Sequence, residues 1–86
     1  MHTVELLDRA LDVAQSMGYG IRHEWLGGAS SGSCEIAGQK WLFVDLALNP
    51  IEQLDQVINA ITSDPQLFTV EVNESLREYI GLRRSA

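Results

Sequence analysis

Cysteine is almost absent from this sequence. Cys34 is the single cysteine among 86 residues, so no disulfide can form within the chain. Small domains of oxidising compartments usually carry several paired cysteines, because their cores are too small to be stable alone. The composition therefore predicts a protein of the reducing cytoplasm.

Long apolar runs are also missing. The longest uninterrupted run covers residues 41–44 (WLFV), whereas a helix that crosses a bilayer needs roughly 20 apolar residues. The first residues do not show the basic stretch followed by an apolar stretch that marks a secretory signal. We therefore expect no contact with a membrane.

Basic residues are scarce. The chain has 6 lysines and arginines against 12 acidic residues, which gives a net charge of −6. This charge repels a phosphate backbone, so we expect no general binding to nucleic acid. Three of the basic residues nevertheless lie in the last ten positions, namely Arg77, Arg83 and Arg84. One alternative hypothesis is therefore a nucleic-acid-associated accessory protein that acts through this C-terminal tail.

The hydrophobic residues that are present, 45% of the chain, predict one folded domain over residues 1–86. Their spacing predicts a first helix that Thr3 caps and Gly18 ends, with apolar residues at positions 4, 7, 11 and 14. From Ile21 the residue pattern changes to a period of two, which predicts the first strand. A turn at Gly38-Gln39 then joins predicted strands over residues 33–37 and 40–46, which should be antiparallel neighbours.

The second half of the chain predicts two more helices. Asn49-Pro50 is typical of a helix start, and Asp64-Pro65 of a helix end. Between them the predicted buried residues are Ile51, Leu54, Val57, Ile58 and Ile61. A short extended piece over residues 67–72 leads to a last helix, which runs from Asn73 to Gly81 and buries Leu76 and Ile80.

The predicted fold class is α+β, in the order α-β-β-β-α-(β)-α. We expect a small, mainly antiparallel three-stranded sheet with the helices packed on one face.

Part of this order resembles a known family. Residues 31–34 (SGSC), Gly38, residues 41–45 (WLFVD) and the helix from Pro50 follow one another as in a family of small uncharacterised bacterial proteins. In that family a Gly-Gly-x-Cys strand, a glycine turn and an apolar strand precede an amphipathic helix. Residues 76–80 (LREYI) resemble its C-terminal helix, while Ser31 replaces the first glycine of the pair. The resemblance implies a bacterial protein and carries no activity with it.

The order of one helix, three strands and a second helix is also similar to the core of minimal zinc peptidases. In those enzymes the second helix carries a His-Glu-x-x-His motif, whose two imidazoles hold the metal. Here the same helix reads IEQLDQV over residues 51–57, without histidine. The similarity therefore implies a shared fold, and it excludes this peptidase chemistry.

Few residues are candidates for chemistry. Cys34 with His23 as its base would make a small thiol enzyme, which we keep as an alternative. The residues of metal-binding type, such as His23, Glu24 and Cys34, lack the paired spacing of a zinc site, so we expect no metal and no cofactor. The glycine-rich residues 27–32 precede a predicted strand and contain no lysine, unlike a phosphate-binding loop.

The leading hypothesis is a non-catalytic protein-interaction module. On the third predicted strand Leu42, Val44 and Leu46 alternate with Trp41 and Phe43, so both faces of the sheet are apolar. A helix layer on one face leaves the other face to a partner of unknown identity, and we expect that partner to include a second copy of the chain, as a homodimer. The predicted interface residues are Trp25, Trp41 and Phe43.

Overall fold

The computed structural model describes residues 2–27 and 32–85, with side chains as far as residue 82. The elements are α1 (Thr3–Ser16), β1 (Tyr19–Glu24), β2 (Gly32–Ile36), β3 (Gln39–Asp45), α2 (Pro50–Thr62), a 3-10 helix (Pro65–Thr69) and α3 (Glu74–Ser85). This order confirms the predicted α+β class. The glycine-rich prediction for residues 27–32 falls largely outside the described part of the chain.

The first helix starts one residue earlier than predicted. Its N-cap is His2, which makes no side-chain cap hydrogen bond, so the prediction that Thr3 is the cap is wrong. At the other end the predicted stop is confirmed, because Gly18 has a φ of +99° just after the helix, a conformation that glycine adopts without strain. The buried face consists of Leu6, Leu7, Ala10, Val13 and Ala14.

The sheet is mixed, whereas a mainly antiparallel one was expected. β3 lies in the centre, parallel to β1 on one side and antiparallel to β2 on the other. The antiparallel pairing of β2 with β3 confirms the prediction for these two strands. β2 runs opposite to β1. β3 follows β2 through a tight turn, so it runs in the direction of β1 and lies between the two strands.

The turn between β2 and β3 is Ala37-Gly38, one residue before the predicted position. Both residues have positive φ, +52° for Ala37 and +81° for Gly38. Two-residue hairpins favour this conformation because it matches the right-handed twist of the flanking strands. The twist therefore places a non-glycine residue in the left-handed region.

The start and the end of α2 are as predicted. The Asn49 side chain accepts from the Glu52 N–H at 2.9 Å, and the Asn49 N–H donates to the Glu52 carboxylate at 3.1 Å, which is a complete capping box. The predicted burial is confirmed for Leu54, Val57, Ile58 and Ile61. It is wrong for Ile51, which is 51% exposed because the first turn extends beyond the core.

The segment after α2 begins with a short helix that was not predicted. Asp64 accepts from the Gln66 N–H at 2.9 Å and Pro65 occupies the first turn of the 3-10 helix. The extended prediction for residues 67–72 is therefore wrong for residues 67–69, whereas Val70 has extended backbone angles. The predicted cap of α3 is confirmed, since Asn73 accepts from the Leu76 N–H at 3.3 Å. The predicted end at Gly81 is wrong, because α3 continues to Ser85.

The core lies between the sheet and the helices. Leu42 and Val44 of β3 belong to one buried cluster with residues of all three α-helices, among them Ala10, Ile58 and Leu76. Trp41 and Phe43, which alternate with Leu42 and Val44, lie outside this cluster. Among the described residues the helices therefore cover one face of the sheet, as predicted, and leave the other uncovered.

Candidate interaction surface

The uncovered face of the sheet is built by the register of its strands. Cα partners across the sheet form two rows, one of Gly20, Trp41 and Cys34, the other of Arg22, Phe43 and Gly32. Partners in neighbouring strands point to the same face, and residues two apart do so as well. We call this face, with Arg22, Glu24, Cys34, Ile36, Trp41 and Phe43, the open face.

The Trp41 indole lies over Gly20 of β1. A Cβ atom added to Gly20 would come within 2.6 Å of the indole Cζ3, so the ring occupies the space above a residue that has no side chain. The guanidinium carbon of Arg22 is 6.0 Å from the ring centroid, and the Arg22 guanidinium pairs with the Glu24 carboxylate at 2.9 Å. The absence of a side chain at Gly20 therefore leaves room for the indole, beside the ion pair of Arg22 and Glu24.

The structure brings two of the three predicted interface residues together. Trp41 and Phe43 are two apart on the central strand and share the open face, where both are partly exposed. Trp25 lies one residue beyond the end of β1 and is 75% exposed. The strand register does not include it, so it is a separate apolar position at the end of the edge strand.

Cys34 and His23 are not brought together. Cys34 lies on β2 at one edge of the sheet, and its Cα partner is Trp41 of the open face. His23 lies on β1 at the other edge, and its Cα partner is Val44, which points into the core. β3 separates the two strands, and the two side chains extend from opposite faces. This geometry gives Cys34 no base in His23.

A polar cluster that the sequence analysis did not predict connects β1 and β3 to the residue that precedes the 3-10 helix. The Tyr19 hydroxyl donates to Asp64 Oδ2 at 2.8 Å, and Lys40 Nζ lies 2.9 Å from the same oxygen. Burial, followed by the hydrogen bond to Asp64, raises the pKa of Tyr19 to about 12. The Gln66 N–H and then Lys40 lower the pKa of Asp64 to about 2. Asp64-Pro65 indicated a cap, but no local pattern indicates partners 45 and 24 residues away.

Asp45 is a second residue without a local signal. It is fully buried at the end of β3, and its Oδ1 accepts from the N–H groups of Leu26 at 3.0 Å and Ala47 at 2.9 Å. The carboxylate thus holds the chain where it leaves β1 and where it leaves β3. Its position at the carboxyl ends of two parallel strands explains why one side chain reaches both.

A groove lies between the 3-10 helix and α3, away from the open face. Its volume is about 330 Å³, and its lining is apolar except for Arg77. Phe68 at its border is 85% exposed. The other two arginines of the C-terminal tail, Arg83 and Arg84, lie on α3 where side chains are not described. Of the three arginines in the nucleic-acid hypothesis, the structure therefore describes the side chain of Arg77 alone.

Residues 2–27 and 32–85 contain neither a candidate metal site nor a candidate membrane span. Within these ranges no three His, Cys, Asp or Glu side chains are grouped so that they could hold a metal ion. No helix in these ranges is both long enough and apolar enough to cross a membrane. Comparison of the chain with family models, curated proteins and solved structures gives no match.

Proposed function

We propose that this chain is a non-catalytic protein-interaction module, and that it self-associates as a homodimer through the open face. The observation that carries the proposal is the placement of Trp41 and Phe43, which lie outside the core cluster on a face that no described helix covers. Ile36, which is 56% exposed, extends the apolar area onto β2. Apolar side chains on an uncovered sheet face are typical of contact surfaces.

The energy available from this face supports association. Burying one aromatic side chain stabilises a contact by roughly 1.5 to 3 kcal/mol, and a two-fold contact would bury Trp41 and Phe43 from each copy. The cost of association opposes this gain, but part of that cost is the ordering of flexible side chains. Because the Trp41 indole already lies against Gly20, it loses little further freedom on binding.

The charge of the open face also supports a second copy as the partner. The whole chain carries −6, which opposes self-association in general. On the open face, however, the exposed charges are those of Arg22 and Glu24, which neutralise each other at 2.9 Å. Two copies can therefore approach through this face without bringing net negative charges together.

The test is the mass of the chain in solution, measured by light scattering after size exclusion. We expect Trp41→Glu to halve the wild-type mass while the circular dichroism spectrum stays unchanged. Phe68→Glu is the matched control, because it also replaces an exposed aromatic but lies off the sheet, and its mass should equal that of the wild type. A wild-type mass of 9.5 kDa at tens of micromolar protein would overturn the proposal.

Cys34 supplies a second readout without any substitution. It is an exposed free thiol on the open face, next to Trp41 in the register. If this face is the contact, the reaction of Cys34 with a bulky maleimide should slow as protein concentration rises, and the labelled chain should fail to associate. A labelling rate that is independent of concentration, in a protein that does associate, would place the contact elsewhere.

We further propose that the protein is bacterial and acts in the reducing cytoplasm, where an exposed single thiol stays free. The resemblance of residues 31–45 to the small bacterial family supports the first point. Fractionation of native cells with an antibody to the chain checks the location, and recovery in an oxidising compartment would contradict it.

A further inference from the structure

The outer edge of β1 is open to another strand. In the part of the chain that the structure describes, β3 is the one strand that pairs with β1. The Glu24 carbonyl accepts from the Leu46 N–H at 2.8 Å, so the backbone groups of Glu24 face β3. Because successive residues of a strand turn their backbone groups to opposite sides, Ile21 and His23 turn theirs outward. An edge of this kind is a template for an added strand.

The charges on β1 are complementary to those of a second copy. Arg22 and Glu24 are two residues apart on the same face, and both are exposed, at 56% and 41% of their side chains. Consider a second β1 placed antiparallel along this edge, with a two-fold axis through His23. Arg22 of each copy then lies directly opposite Glu24 of the other. Cross-strand pairs of opposite charge stabilise a sheet, whereas like charges destabilise it.

The same charges disfavour the neighbouring registers. A two-fold axis normal to the sheet keeps both open faces on one side, and the two nearest shifts of register move this axis to Arg22 or to Glu24. The first shift places two arginines opposite each other, and the second places two glutamates opposite each other. Charged residues on an edge strand usually prevent pairing with other chains. Here their order favours the register centred on His23 over its two nearest neighbours.

Trp25 fits this register independently of the charges. With the axis at His23 and each β1 continued by one residue beyond Glu24, position 25 of each copy comes opposite Ile21 of the other. Aromatic and β-branched residues form favourable cross-strand pairs. Ile21 already packs against the core, so it offers Trp25 an apolar neighbour at the border of that core. This contact accounts for a tryptophan that is 75% exposed at the end of an edge strand.

We propose that a second copy of the chain adds its β1 antiparallel to β1, in the register centred on His23, and thereby forms a continuous six-stranded sheet. This contact goes beyond the proposed function, because it uses the edge of the sheet and does not depend on the open face. The two open faces lie side by side in the extended sheet, so their Trp41 and Phe43 side chains stay available to a partner.

The test exchanges charges on the full chain. Arg22→Glu alone places carboxylates opposite carboxylates, and Glu24→Arg alone places guanidinium groups opposite each other, so each variant should weaken the edge contact at least tenfold in its dissociation constant. An equimolar mixture of the two variants should restore the contact as a mixed species, which native mass spectrometry identifies from the mass difference. The double variant Arg22→Glu/Glu24→Arg keeps the complementarity and should associate like the wild type.

A backbone measurement separates this contact from one through the open face. Amide hydrogen exchange at Ile21 and His23 should slow as wild-type concentration rises, because these N–H groups become bonded to the second copy. Arg9→Glu on α1 is the control for a change of net charge, since Arg9 forms a similarly exposed ion pair with Asp12. The proposal is overturned if the mixture fails to restore association, or if Ile21 and His23 exchange at a rate independent of concentration in an associated protein.

Discussion

Gly20 is the residue on which the orientation of Trp41 depends. A Cβ atom there would lie 2.6 Å from the indole, so either the ring or the strand must move. We expect Gly20→Ala to lower the free energy of unfolding by about 1 to 3 kcal/mol, as measured by urea denaturation. Gly81→Ala is the matched control. A Cβ at Gly81 meets nothing within 4 Å, and alanine stabilises a helix by about 0.5 to 1 kcal/mol relative to glycine, so this variant should not lose stability. Equal effects at both positions would contradict the close packing of Trp41.

Asp64 gives the stability of the protein a dependence on pH. Its pKa is about 2 in the folded chain against 3.8 ordinarily, because the Gln66 N–H and Lys40 stabilise the carboxylate. A group whose pKa is lower in the folded state contributes stability above its unfolded pKa and loses that contribution as the pH falls through its folded pKa. We therefore expect the free energy of unfolding to decrease between about pH 4 and pH 2.

Denaturation of wild type and Asp64→Asn over this pH range measures the effect. The variant should be less stable at neutral pH and should show a smaller decrease on acidification. Asp12→Asn, which changes an exposed carboxylate on α1, should leave the profile of the wild type unchanged. Parallel profiles for wild type and Asp64→Asn would exclude Asp64 as a source of the acid sensitivity.

At the scale of single elements, the two long helices differ in how they start. α2 has a capping box between Asn49 and Glu52, whereas α1 has no side-chain cap. We expect Asn49→Ala to cost roughly 0.5 to 2 kcal/mol of stability, because the Glu52 N–H loses the side-chain oxygen that it donates to. Thr3→Ala should change stability by less than about 0.5 kcal/mol. Comparable losses from both substitutions, measured as shifts of the denaturation midpoint, would argue against this difference.

A predicted element boundary is accurate where a side chain caps the backbone locally. The start of α2 and the start of α3 could be predicted, because the Asn49 and Asn73 side chains cap a backbone only a few residues away. The turn between β2 and β3 was predicted one residue too late, since strand twist rather than residue type decides which two residues take positive φ. Gly81 was misread as a helix end, because α3 continues through it to Ser85.

For the whole molecule, the centre of the core is the side of α2 that faces the sheet. Ile58 is buried in the cluster with Leu42 and Val44, while Ile51 on the first turn of the same helix is largely exposed. We expect Ile58→Ala to cost roughly 2 to 5 kcal/mol, because the cavity cannot close fully. Ile51→Ala should cost less than about 0.5 kcal/mol. Similar losses at the two positions, in urea denaturation, would mean that the buried side of α2 is assigned incorrectly.

The sequence by itself determined the properties that depend on neighbours along the chain. These are the three α-helices and the three strands of the sheet, the cap of α2, and the alternation on β3 that separates Leu42 and Val44 from Trp41 and Phe43. The tertiary structure alone decided that β1 lies beside β3 and runs parallel to it, because a period of two is the same for parallel and antiparallel pairing. It therefore also decided that Cys34 and His23 lie at opposite edges, that Gly20 makes room for Trp41, and that Asp64 meets Tyr19 and Lys40. Contacts between residues distant in sequence arise from packing, which leaves no mark on the local pattern.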